Sequence, residues 1–135
     1  MYGADVVIPV MHWGWEYEPR ASARQRALAR WMIDAGADAV IGGHPHVAQD
    51  TEVYQGRPII YGLGNFVFDG FRAPETTTGW LVRLTVDRQG AVRWTAMDVR
   101  LDRHGAPHPQ ADRPGWCWAR GSAEAVRCPV PIPPR

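Results

Sequence analysis

The residues with the most chemistry to offer are three histidines. His44 and His46 flank a proline in "GGHPHV", and His12 closes the apolar run "VVIPVMH". A neutral imidazole is a good ligand for Zn, Mn, Fe or Ni, and residues i and i+2 of an extended segment point the same way. Pro45 stiffens the backbone between the two histidines, and Gly42 and Gly43 let the chain approach a ligand closely. Taken alone, His44-Pro45-His46 reads as an exposed polar turn and His12 as a hydrogen-bonded residue at a strand end. Metal chemistry requires that the fold bring the three together.

The elements around them do so. Val6 to Met11 is a continuous apolar, β-branched run, which predicts a strand buried on both faces. After Pro19, Ser22 and Gln25 form a capping box that starts a helix. Leu28, Trp31, Met32 and Ala35 follow as its apolar stripe, and Gly36 is placed to end it. Ala39 to Ile41 is a second short strand that runs into Gly42, Gly43 and His44. A right-handed crossover makes the two strands parallel and brings their carboxyl ends to one edge. Open α/β sheets place ligands at that edge. His12 and His44, 32 positions apart, are therefore predicted to meet.

Two hairpins come next. Thr51–Tyr54 pairs with Pro58–Tyr61, and Trp80–Val86 pairs with Ala91–Leu101 across a turn at Asp87 to Gly90. Between them Gly62-Leu63-Gly64-Asn65 is a glycine-rich bend before Phe66. Beyond Asp102 no apolar periodicity survives, and seven of the 12 prolines lie between Pro107 and Pro134. The organisation read from this is a folded unit over 1–102 and an irregular, proline-rich tail over 103–135.

Three segments, "DVVIPVMHWGWEYE", "QRALARWMIDAGADAVIGGHPHV" and "YGLGNFVFD", closely resemble the C-terminal half of the CapA family. These are capsule and poly-γ-glutamate synthesis proteins of the calcineurin-like metallophosphoesterase superfamily. The resemblance runs from about Asp5 to Asp69, with Gly62 where the family has serine. It implies an α/β fold, the second half of a layered αββα sandwich whose open sheet face would need a partner. It also implies a two-metal site, His12 resembling the superfamily's lone histidine and His44 and His46 its closing G-H-x-H. On that analogy His12 and His44 serve one divalent ion (Mn, Fe, Zn or Mg) and His46 the other. Glu16 and Tyr17 match an H-W-G-x-E-Y signature and, with Trp13, would shape a substrate pocket.

The superfamily's D-x-H, G-D and N-H motifs belong upstream of His12, where this sequence has 11 residues. Asp102-Arg103-His104 and Gly64-Asn65-Phe66 imitate two of them in the wrong places. The expectation is thus a fragment that lacks the N-terminal half of its domain, holds metal weakly, and has little hydrolase activity alone. His104 and His108 are read as solvated tail residues. Nearby carboxylates such as Asp50 or Glu16 are possible helpers to the histidines.

Composition narrows the function classes. A net charge of +1 gives no electrostatic case for nucleic acid or anionic lipid. No apolar run approaches the roughly 20 residues of a membrane span, and no signal-peptide pattern follows Met1. Relatives of the CapA type are associated with the cell envelope. Cys117 and Cys128 can pair or remain free thiols. Three functions remain open: phosphoester hydrolysis, metal-assisted modification of a peptide or polymer by proton transfer, and a non-catalytic binding module.

Overall fold

In the computed structural model, which describes residues 3–128, the strand–helix–strand unit is present. Strand β1 (Val10–His12) and strand β2 (Val40–Gly43) are parallel, with Val10 opposite Ile41 and His12 opposite Gly43. Helix α1 (Ala23–Asp34) lies between them in sequence. Its capping box is complete: Ser22 Oγ accepts from the Gln25 amide at 3.2 Å, and Gln25 Oε1 accepts from the Ser22 amide at 3.0 Å. Gly36 has φ +104°, the left-handed conformation that ends a helix at little cost when the residue is glycine.

Two local expectations are corrected. The run from Val6 is not a long strand buried on both faces; β1 has three residues and is the edge of its sheet, with Val10 77% exposed. Pro9 has no amide hydrogen to give a ladder, and upstream of β1 the chain is held by Val7, bonded twice to Asp38, and by the Pro9 carbonyl, which accepts from the Ile41 amide. The helix face that faces inward is Gln25, Ala29 and Ile33, with Leu28 and Met32 at its flanks. Trp31, expected in the stripe, is 65% exposed. A buried glutamine at the first turn of that face hides the true periodicity.

Strands β3 (Thr51–Tyr54) and β4 (Arg57–Ile60) form the first hairpin, with left-handed Gln55 and Gly56 in its two-residue turn. The sheet order is β1-β2-β4-β3, β4 running parallel to β2. Its side chains alternate between two cores, as a pleated strand requires. Val40, Ile59 and Tyr61 face α1 with Ala29 and Ile33, whereas Ala39 and Ile60 face Ala91, Trp94, Ala96 and Trp118.

That second core belongs to a second, antiparallel sheet. It contains β5 (Thr78–Asp87), β6 (Gly90–Leu101), β7 (Pro107–Pro109), β8 (Trp116–Ala119) and β9 (Val126–Arg127). The layering is helix, sheet, sheet, an α/β fold. Both faces of the first sheet are therefore covered, and the expected bare sheet face is absent; β1 and β3 are its two edge strands.

The irregular tail is a further correction. Strands β7 and β8 both pair with β6, and β9 pairs with β8. Strand β6 is 12 residues long, so it offers length for both, and prolines are tolerated in a short strand at the sheet edge. Cys117 and Cys128 form a disulfide with their Cα atoms 5.3 Å apart, which ties β8 to the chain after β9. Residues 129–135 of the expected tail lie outside the described residues.

Candidate functional site

The parallel pairing of β1 and β2 delivers His12 and His44 to the same edge. Their ring centroids are 4.4 Å apart, and those of His44 and His46 are 6.0 Å apart. The route is not the extended zigzag expected from the sequence. His44 has φ +100° and His46 φ +60°, so both occupy left-handed backbone that costs a residue with a Cβ about 1–3 kcal/mol. Pro45 between them is buried, and its carbonyl accepts from the Tyr17 amide at 2.7 Å. That bond fastens the loop after β1 to the histidine loop.

The fastening carries Glu16 into the cluster. Donor atoms of Glu16, His44 and His46 all lie within 4.8 Å of one another. Two imidazoles and a carboxylate suit a zinc, manganese or iron ion by donor chemistry. Asp50, the other carboxylate considered, is engaged elsewhere: it pairs with Arg26 and accepts from the Ala21 amide at 2.9 Å. Glu52 beside it takes Arg30 Nε at 2.7 Å and the Tyr61 hydroxyl at 2.8 Å. Burial opposes ionisation of Glu52, but the bonds from Arg30 and Tyr61 outweigh it and hold the carboxyl below its ordinary range. Burial, then Glu52, pushes the Tyr61 phenol well up. This network locks α1 to β3 and is structural.

Trp13 and Tyr17 occupy different settings. Trp13 is buried against α1, and its indole N–H donates to the Tyr61 carbonyl at 2.8 Å. It walls the site without a hydrogen to spare. The bond explains Gly42, where a Cβ would collide with the same carbonyl and indole nitrogen; Gly43 meets no such neighbour. Tyr17 is half exposed, its ring edge-on to Phe71 at 6.0 Å. Partial desolvation and the neighbouring Glu16 carboxylate raise its phenol.

Sequence reasoning missed Asn65, Phe68 and Phe71. Asn65 is buried, and its Oδ1 stands 2.9 Å from His46 Nδ1. Its Nδ2 donates to the carbonyls of Thr76 at 2.8 Å and His46 at 3.3 Å, so Oδ1 is the atom facing the ring. A carboxamide oxygen only accepts, so Nδ1 carries the hydrogen, and in the neutral ring the lone pair is on Nε2. Phe68 and Phe71 flank His46 at 5.2 and 4.9 Å. The bend Gly62–Asn65 held a signal in its resemblance to a G-N-H motif, but not the role Asn65 plays. His104, in the turn after Asp102, and His108, in β7, lie far along the chain and are both exposed, as expected.

A cavity of about 450 Å³ opens beside His12, between the loop after β1 and α1. Trp13, Trp15, Leu28 and Arg24 line it, an aromatic and aliphatic wall with one guanidinium.

The fold and this edge define an α/β protein with a histidine-centred cleft at the ends of parallel strands. The family model described as "Bacterial capsule synthesis protein PGA_cap" matches residues 1–70, and the chain belongs to that family, the family of the CapA proteins. It is 58% identical over 66 residues to the PGA biosynthesis protein CapA of Bacillus subtilis, covering 49% of this chain and 17% of that protein. The capsule biosynthesis protein CapA of Bacillus anthracis is 56% identical over 66 residues, 49% of this chain and 16% of its own length. A probable polyglutamine synthesis accessory protein of Mycobacterium tuberculosis is 40% identical over 65 residues, 48% of this chain and 17% of its own. The matched part of the chain thus spans about one sixth of these relatives. All of the second sheet, which begins at Thr78, lies beyond the residues the family model matches. No helix among the described residues is long and apolar enough to cross a membrane.

Proposed function

We propose that this chain carries part of a two-metal, hydrolase-type site of a capsule or poly-γ-glutamate synthesis protein at the cell envelope. The observation that carries the reading is the meeting of His12, His44 and His46 at the carboxyl edge of β1 and β2. The helix–sheet–sheet layering supports three layers of a metallophosphoesterase-like αββα sandwich. The open β1 edge supports a junction with the remaining part of that domain, which would bring the other ligands. A bound divalent ion supplies Lewis acidity toward a phosphoryl or carbonyl oxygen. The chain's own residues orient and enclose: Asn65 sets the His46 tautomer, and Phe68 and Phe71 exclude water from its flank.

The cavity beside His12 favours a polyanionic chain as substrate, because Arg24 can take a carboxylate while Trp15 and Leu28 cover the methylenes between. It equally suits a second chemistry, proton transfer at a carbon next to a carboxylate in a peptide or polymer. A paired assay of phosphoesters and γ-linked glutamyl peptides, with the protein that contains the whole domain, separates the two. Under either chemistry His12→Ala, His44→Ala and His46→Ala each remove most turnover, and the 135 residues alone turn over little. Unchanged turnover and polymer formation in the triple variant would leave the non-catalytic binding module as the reading.

A further inference from the structure

Residues directly opposite in an antiparallel ladder share a face, so Trp80, Ala96, Asp98, Trp116 and Arg127 lie on one side of the second sheet. Trp94 and Ala96 are buried there in the core shared with the first sheet. From Asp98 onward the same side turns polar: Asp98 is half-buried and Arg100 exposed. Two cavities open at this place, of about 380 and 190 Å³, and Trp80 and Ala48 line both. Trp116 adds to the wall of the larger; Asp98, Arg100 and Arg113 line the smaller. The two indole centroids are 6.3 Å apart with the rings inclined by 50°. The polar groups beside them are little used. Among the described residues the Asp98 carboxylate has one ion pair, with Arg127 at 3.8 Å, and Arg100 and Arg113 have none. Trp116 and Arg127 are braced from behind. The guanidinium lies 4.4 Å over the indole, and the next residue of each strand, Cys117 and Cys128, carries the disulfide on the opposite side.

We propose that this face is a saccharide-binding site: Trp80 and Trp116 take the apolar side of a sugar ring, and Asp98, Arg100 and Arg113 bond its hydroxyls. A sugar presents C–H groups across its ring and, around its edge, hydroxyls that both donate and accept. A site for it needs flat aromatic surface beside acceptors and donors together, and here a carboxylate and two guanidiniums stand next to an indole pair. A polyanion fits less well, because the Asp98 carboxylate would face its charges. Such a site tethers the protein to a glycan. It lies beyond the residues the family model matches, and it is independent of the histidine cleft and of what reacts there.

The test is titration of the full chain with N-acetylglucosamine tetramer, cellotetraose and mannotetraose, read by tryptophan fluorescence and saturation-transfer NMR. Circular dichroism of every variant confirms folding. Saturable binding of at least one of these sugars is expected, and a chelator should leave it unchanged. Trp116→Ala should weaken that binding by about tenfold, and Asp98→Asn and Arg113→Ala by about threefold or more each. Arg113 is exposed, so its replacement does not threaten the fold, and Asp98→Asn keeps the shape of the side chain. No saturable binding of any of the sugars by the folded chain, or binding that none of the variants alters, would overturn the site. Binding of a γ-linked glutamate oligomer in place of the sugars, weakened by the same variants, would overturn the saccharide assignment and make the face an anion groove.

Discussion

Asn65 Oδ1 accepts from His46 Nδ1 at 2.9 Å, although the two residues lie on separate loops. The pairing decides which nitrogen of His46 faces the cleft, and partners of this kind are worth about 10- to 100-fold in metal affinity. Asn65→Ala should therefore weaken Co²⁺ binding by about tenfold, and cost about 1–3 kcal/mol of stability by orphaning buried carbonyls. Asn65→Asp keeps the acceptor and should recover part of the affinity. Titration of both variants beside wild type checks this; equal losses would mean that Asn65 only packs.

Gly42 is required by a contact between other residues, the Trp13 indole on the Tyr61 carbonyl. Gly42→Ala forces that bond apart and should destabilise the protein by about 2–3 kcal/mol, whereas Gly43→Ala should stay within about 1 kcal/mol. Urea melts of the pair give the comparison directly.

The Cys117–Cys128 bridge closes a short loop on the rim of the second sheet, with a sequence separation of 11. Loops of about that size contribute about 2–3 kcal/mol when crosslinked. Reduction, or Cys117→Ser with Cys128→Ser, should lower the thermal midpoint while leaving the histidine cleft and its Co²⁺ uptake unchanged. A disulfide persists in an oxidising compartment, so mass spectrometry of the protein from its native host should find the pair oxidised.

Asp102 is held down to about 2 by hydrogen bonds from His108 and from the amides of Ala106 and His104. A depressed carboxyl favours the folded state above its unfolded value, near pH 4, and that contribution is lost as the pH falls toward 2. Glu52, also lowered, acts in the same direction. The stability gap between wild type and Asp102→Asn should be full at pH 5 and shrink steadily below pH 4. Melts across that window measure it; a gap that widens in acid would contradict the sign.

What the sequence determined by itself was local. The Ser22–Gln25 box, the Gly36 stop, the two hairpins and the parallel pair follow from patterns a few residues long, and from the rule that joins strand, helix and strand. That was enough to bring His12 and His44 together. Tertiary structure decided the rest, because it turned on contacts between distant residues. Pro9 shortened β1 to an edge, and Gln25 took an inward position in the first turn of α1 by bonding to buried Gln49. Strands β7 to β9 formed where composition suggested none, since β6 supplied a ladder for β7 and β8, and β8 one for β9. Glu16 reached the histidines, and Asp50 did not, because one backbone bond tied Tyr17 to Pro45 while Arg26 claimed the other carboxylate. Spacing along the chain carries no trace of either event; which charge finds which partner is settled only when the loops are folded against each other.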